Sequence, residues 1–303
     1  MPLLLILLVL LFLIAALVWN AAVRSQSPKR KPIEKLPEYP YEAIEWTSAG
    51  EPIQGWFIPP GSTVEDHEQP APVIVIAHGW GSNRSSMLRY VPSLHEEGYA
   101  ILLYDARGHG ESGDVHAVSG LTMRDDLRAA IAYVATRPDI DRKRIGVIGH
   151  SLGAFGSILA AGSGEHRMKA LVTDAMPAQI STMVAAELGR KKLPRFPFVQ
   201  LVPAIIGLRS GAPRSQYDPI LAINQSSTPI LMIHSRGDDF IPSTELDYVI
   251  RHIVRKIDYL FLTNEGHGSA AYEDEFWNHT LSFFEKHLAP SDEPPKSSDQ
   301  YQI

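Results

Sequence analysis

No cysteine occurs in the chain, so disulfides, thiolate nucleophiles and cysteine-bound metals are all excluded. Charge is sparse and slightly acidic: 28 Lys and Arg against 34 Asp and Glu give a formal net charge of −6 over 303 residues. Beyond a short basic cluster near the N-terminus there is no long basic run, and a nucleic-acid partner is not expected. No internal repeat is evident. With 45% apolar and 20% charged residues, the composition is that of a globular chain with a full core.

One stretch lacks polar side chains altogether. Residues 3–19, LLLILLVLLFLIAALVW, are long enough as a helix to cross the ~30 Å hydrocarbon layer of a bilayer, at the short end of the range. Trp19 at its edge suits a membrane interface. No basic residue precedes the run, and its length favours an uncleaved anchor over residues 1–23, although Asn20-Ala21-Ala22 leaves a signal-peptide reading open. Arg24, Lys29, Arg30 and Lys31 follow the span, which argues by charge for a single-pass protein with its catalytic domain on the cytoplasmic side. Residues 24–42, with Pro28, Pro32, Pro37 and Pro40 among charges, read as an extended linker away from the bilayer. Residues 290–303 read as a disordered tail.

Between these ends, 43–289 alternate strand and helix. Two strands, 43–49 and 53–58, meet at a turn placed at Gly50-Glu51. Short continuous apolar runs then recur at 72–79, 100–108, 144–151, 170–175, 229–238 and 258–264, as expected for strands buried on both faces. Helical segments at 83–97, 122–136, 152–162, 243–255 and 270–287 separate them. The fold class is therefore α/β, a mostly parallel eight-stranded sheet with helices on both faces. Residues 176–217 interrupt this rhythm with a connection far longer than usual, and read as a small helical cap after the sixth strand, over the edge where such sheets bind ligands.

The stretch GHSLG at 149–153 closes one of the buried strands and opens a helix of small residues. A serine at such a sharp turn stands above the sheet edge, with flanking Gly149 and Gly153 relieving the strained backbone. Ser151 is the candidate nucleophile. A serine hydroxyl needs a base to take its proton and a third group to orient that base. His267, just past the 258–264 strand in NEGHGS, and Asp238, just past the 229–238 strand, leave the same sheet edge in the order Ser…Asp…His. The spacing to Ile241-Pro242 favours Asp238. Asp239 is the adjacent alternative and Asp174 a more distant one, either also readable as a helix-cap or turn residue. For the oxyanion, the N–H of Leu152 and one from the loop HGWGSNR at 78–84, with Trp80 as the candidate, supply the donors. His78 reads as a loop-ordering hydrogen-bonder.

Taken in order, HGWGSNR, DARGHGES (105–112), GHSLG, SRGDDFIP (235–242) and EGHG (265–268) resemble the α/β-hydrolase superfamily over about 43–288, most of all membrane-anchored bacterial hydrolases of the serine aminopeptidase and BEM46-like types. The resemblance implies that Asp105, Arg107 and His109 are scaffold. The expected activity is cleavage of an ester, thioester or amide through an acyl-enzyme, with no metal or organic cofactor. A carboxylesterase- or lipase-like small-molecule or acyl substrate is favoured. An aminopeptidase-type peptidase, with Glu187 as a conceivable amine partner, and a catalytically silent binding module at the membrane are the alternatives. Neutral histidine is the working base, so activity should fall in acid.

Overall fold

The apolar runs after residue 70 pair with one another as parallel strands; those inside the sheet are covered on both faces and have no side to offer water, whereas the last, 258–265, lies at the sheet edge and is largely exposed. The computed structural model describes residues 2–61 and 70–290. In chain order the elements are α1 (Pro2–Ser25), β1 (Glu42–Ser48), β2 (Glu51–Ile58), β3 (Ala71–Ala77), a 3₁₀ segment (Arg84–Tyr90) running into α2 (Val91–Glu96), β4 (Ala100–Tyr104), α3 (Gly120–Val134), β5 (Ile140–His150), α4 (Leu152–Gly162), β6 (Met168–Asp174), α5 (Ile180–Arg190), α6 (Phe198–Arg209), α7 (Pro219–Gln225), β7 (Ile230–Gly237), α8 (Thr244–His252), β8 (Asp258–Glu265) and α9 (Asp274–Leu288).

The eight strands form one sheet in the order β1-β2-β4-β3-β5-β6-β7-β8. β1 and β2 are antiparallel, β2 meets β4 antiparallel, and every later pairing is parallel. The expected α/β class and eight-stranded sheet are therefore the ones observed. One face packs on α3, α4, α7 and α8 through residues such as Leu127, Ile131, Phe155, Ile158, Ile223 and Val249; the other packs on α2 and α9 through Tyr90, Leu94, Phe276 and Phe284.

Two boundaries differ from the expected ones for local reasons. The first hairpin turns at Ala49-Gly50, both with positive φ (48° and 86°), and Glu51 already pairs with Ser48. Two left-handed residues give the turn whose twist matches the strands. β4 stops at Tyr104, short of the run to 108, because the buried Asp105 carboxylate captures the amides of Arg84 (2.7 Å) and Glu111 (2.9 Å) and bends the chain away. Arg107 is tied to the buried Asp126 at 2.6 Å. Asp105 and Arg107 thus hold the loop after β4 in shape.

Residues 26–41 contain no helix or strand, yet they are not a free tether. The Val118 amide donates to the Gln26 carbonyl (2.8 Å), Asn83 Nδ2 donates to the carbonyls of Lys31 (3.1 Å) and Pro32 (2.9 Å), and the Lys35 amide and carbonyl both bond Ser85 Oγ. Arg30 reaches the carbonyls of the 109–113 turn and Asp114 Oδ1 (2.7 Å). The linker expected at 24–42 is thus laid along the domain by these bonds. Of the tail expected at 290–303, residues 291–303 lie outside the described residues.

α1 is long and apolar enough to cross a membrane, a property it shares with signal sequences. Its side chains from Leu3 to Leu17 are exposed, whereas Val18 and Ala22 are buried. They pack on Val202 and Ile206 of α6, with Val184 and Leu188 of α5 in the same cluster. Within 176–217 the chain forms α5, α6 and a short 3₁₀ turn.

Candidate active site

β5 ends at His150 and α4 begins at Leu152, leaving a single residue to make the turn. Ser151 does so at φ 53°, ψ −120°, a conformation an L residue holds only when its surroundings impose it. The strain sits on the serine itself. Neither flanking glycine has a positive φ; both are required for close approach. A Cβ on Gly149 would lie 2.5 Å from Ala154 Cα, and one on Gly153 would lie 2.4 Å from the carbonyl oxygens of both Ala77 and His78. The glycines therefore let α4 sit against β5 and the end of β3. Gly153→Ala should cost about 3 kcal/mol of stability, because the atoms in the way are backbone. Gly189→Ala, whose added methyl meets nothing within 4 Å, should be neutral or slightly stabilising. Chemical denaturation of the two variants checks the contrast.

The loops after β7 and β8 bring Asp238 and His267 together. His267 Nδ1 lies 2.7 Å from Asp238 Oδ2. A carboxylate can only accept, so Nδ1 carries the proton and Nε2 is left as the basic nitrogen. Asp238 Oδ1 accepts the amides of Phe240 (2.9 Å) and Ile241 (2.8 Å), and its side chain is 1% exposed. Burial alone would raise the Asp238 pKa. The His267 bond and charge, with the two amides, outweigh burial and hold the carboxyl below the usual range. Asp239 is exposed, without a hydrogen bond among the described residues. Asp174 lies elsewhere: its carboxylate accepts from Tyr90 Oη and from His150 Nδ1 at 3.3 Å.

This Asp174–His150–Tyr90 group was not anticipated, and Asp174 is neither a cap nor a turn residue. The signal available was the register of β5 on β6, which sets His150 opposite Asp174. Burial, then the nearby Arg89 cation, lowers the His150 pKa to about 4. Burial would raise Asp174, but the bond and charge of His150, the Arg89 charge and the Tyr90 hydroxyl hold it at about 2. His150 also supports the site, its ring centroid 4.9 Å from that of His267.

Ser151 is 7% exposed and follows His150, whose ring faces that of His267; among the described residues no hydrogen bond joins its Oγ to His267 Nε2. Bonds of this kind commonly close only when substrate arrives. The loop after β3 comes close to the serine: a Cβ on Gly79 would be 3.1 Å from Ser151 Cβ. Among the described residues, neither the Trp80 nor the Leu152 backbone N–H has an acceptor in the protein. Leu152 opens α4, where first-turn amides have no intrahelical partner and the helix dipole favours negative charge. His78 orders the loop as expected, accepting the Ala106 amide at Nε2 (2.9 Å) and facing the Gly79 carbonyl at Nδ1 (2.8 Å). The Trp80 indole N–H donates to the Ser25 carbonyl at the end of α1 (2.9 Å). Glu187 is engaged by Arg190 and Lys191, each at 2.8 Å, and its charge is already matched.

An eight-stranded sheet in this order, with a serine at the strained turn after its central β5, is the architecture of the α/β-hydrolases, and the chain belongs to that superfamily. The family model of the serine aminopeptidases, S33, matches residues 68–205. The chain is 30% identical over 212 residues to the uncharacterized protein YqkD of Bacillus subtilis, covering 69% of each chain. It is 28% identical over 203 residues to the uncharacterized protein YfhR of Escherichia coli, covering 66% of this chain and 64% of YfhR. Among solved structures it is similar to the Pyrococcus furiosus esterase Pf2001, with a TM-score of 0.69 at 22% identity, covering 88% of this chain and 98% of that one. The protein is a serine hydrolase of α/β fold.

Proposed function

We propose that this protein is a membrane-anchored serine hydrolase that cleaves an ester, thioester or amide through an acyl-enzyme, with a small acyl or lipid-like molecule as substrate. The observation that carries the reading is the His267–Asp238 pair at 2.7 Å, its imidazole 4.9 Å from the ring of His150, the residue that precedes a serine held at φ 53°. Ser151 Oγ attacks the carbonyl carbon while His267 Nε2 takes its proton. The oxyanion accepts from the Leu152 and Trp80 amides. The imidazolium then protonates the leaving group as the carbonyl re-forms, giving the acyl-enzyme. Water repeats the sequence, its proton passing through Nε2, and releases the acid and free serine.

An acyl or lipid-like substrate is supported by α1: the loop carrying Trp80 is bonded to the end of that helix, so the site stands where a membrane-borne molecule would be met. A peptidase reading has the S33 family match in its favour. It needs a group to hold a substrate amine, and Glu187, the cap carboxylate considered for that task, is paired twice over.

A fluorophosphonate probe tests the reading without presuming a substrate. Wild-type protein should label to one equivalent per chain and Ser151→Ala not at all. Folded wild-type protein that takes no label would count against an activated serine and favour a silent binding module.

A further inference from the structure

The segment joining α5 to α6 is exposed from Gly189 to Phe196 and reads GRKKLPRF. In a chain of net charge −6 it concentrates Arg190, Lys191, Lys192 and Arg195 beside two unpartnered apolar side chains, Leu193 (50% exposed) and Phe196 (77% exposed). α6 continues the apolar surface. Leu201, Ala204 and Leu208, at i, i+3 and i+7, lie on its outward face, opposite the Val202 and Ile206 face that packs on α1.

Orientation comes from Arg209 at the C-terminal end of α6. Its guanidinium donates to Gln26 Oε1 (2.7 Å), just past the end of α1, and lies 5.6 Å from the Trp19 ring. The two helices therefore run in the same sense. With Val202 and Ile206 in one cluster with Val18 and Ala22, this sense directs the N-terminal end of α6 and the basic segment before it toward the apolar length of α1.

We propose that this cap surface is a second membrane contact: Leu193 and Phe196 enter the headgroup–acyl boundary of the bilayer that α1 crosses, and Arg190, Lys191, Lys192 and Arg195 meet its anionic headgroups. The inference rests on the reading of α1 as a retained anchor. It is carried by continuity, since the patch adjoins the helix that enters the membrane, and by charge. The four basic residues outnumber Glu187, which pairs with Arg190 and Lys191, and leave Lys192 and Arg195 without an ion pair among the described residues to complement an anionic surface. Basic side chains suit this depth because their aliphatic stems lie along apolar groups while their charges stay in the headgroup layer.

The cysteine-free chain makes the test direct. Full-length Phe196→Cys, Leu10→Cys and Val254→Cys are each labelled with a nitrobenzoxadiazole probe. They are reconstituted in phosphatidylcholine vesicles with and without phosphatidylglycerol, and exposed to lipids carrying a nitroxide high on the acyl chain. Val254, 91% exposed and outside the cap, reports an unattached surface. Fluorophosphonate labelling checks that each variant is folded. Quenching at position 196 should exceed that at 254 by about threefold, rise with phosphatidylglycerol, and lose that rise in the Lys192→Glu/Arg195→Glu background. Quenching at position 10 without quenching at 196 would overturn the inference and leave the anchor intact. No quenching at position 10 would overturn the anchor and the inference together. A blue shift at 196 without nitroxide quenching would overturn the inference and assign the patch to a contact between copies of this chain, and equal quenching in all lipids and backgrounds would remove the headgroup pairing.

Discussion

Asp238→Asn is expected to slow hydrolysis of a short p-nitrophenyl ester by about 10⁴-fold, with Asp239→Asn within about twofold of wild type. The geometry gives the reason. Oδ1 of Asp238 is fixed by the amides of Phe240 and Ile241, and an asparagine would keep its carbonyl oxygen on those two donors. Its NH₂ would then face His267 Nδ1 and donate to it. The imidazole proton would move to Nε2, leaving no lone pair to take the Ser151 proton. The loss should fall on kcat with little change in KM, because the substituted atom does not touch substrate. Asp239 is exposed and bonded to nothing in the site, so its replacement is the internal control. A large loss in Asp239→Asn with little in Asp238→Asn would reverse the assignment.

A second large effect is expected in acid, on stability rather than rate. His78, His109 and His150 are buried, and burial is the main cause that lowers their pKa from 6.5 to about 4, about 3 and about 4. His78 has the Ala106 amide on Nε2, and His109 has no partner for its Nε2 among the described residues. A second proton would break the Ala106 bond on His78 and leave a buried N–H without an acceptor on His109. The sign follows from which state binds protons first. Between pH 6.5 and 4 the unfolded chain protonates these rings and the folded chain does not, so stability falls as pH falls. At pH 4 a ring shifted this far accounts for about 3 kcal/mol on its own. His78 sits in the field of both His150 and His109, so the three titrate as a coupled group and together amount to several kcal/mol, a large share of the stability of a typical domain. Asp174, held at about 2, weakens the fold only below the ordinary aspartate range and adds nothing in this window. Thermal melts in detergent should lose about 20 °C between pH 7 and 4, and His109→Gln should flatten the slope. A melting temperature constant over that range would contradict the burial of these rings in neutral form.

The strands from β3 to β7 were legible because burial on both faces writes itself into sequence as an unbroken apolar run, and β8, on the exposed edge, through its short apolar centre at 260–262. Ser151 was legible for a similar reason: a tight approach of α4 to β5 and β3 leaves room only for glycine at 149 and 153. Spacing to Ile241-Pro242 favoured Asp238 over the adjacent Asp239, but the physical reason was not legible. They differ in which one the backbone amides of Phe240 and Ile241 enclose, and backbone leaves no letter in the sequence. The course of residues 26–41 was hidden likewise, since Lys31, Pro32 and Lys35 bind through main-chain groups and Arg30 lands on carbonyls of a distant turn. The His150–Asp174–Tyr90 group joins residues far apart in the chain, visible only once β5 and β6 are in register.

The docking of residues 26–41 also bears on how such an enzyme would meet its substrates. Stretched out at about 3.3 Å per residue, this segment would let the domain roam roughly 50 Å from the foot of α1. Fastened along the domain, with Trp80 clasping the last turn of the helix, it gives almost no reach. On the proposed reading of α1 as a retained anchor, the site would be pinned at one height, and its encounters would be governed by how many substrate molecules occupy each patch of bilayer, with those in the surrounding volume counting for little. Diluting the membrane with inert lipid would slow such a catalyst at constant bulk substrate, whereas one on a long leash would scarcely register the change.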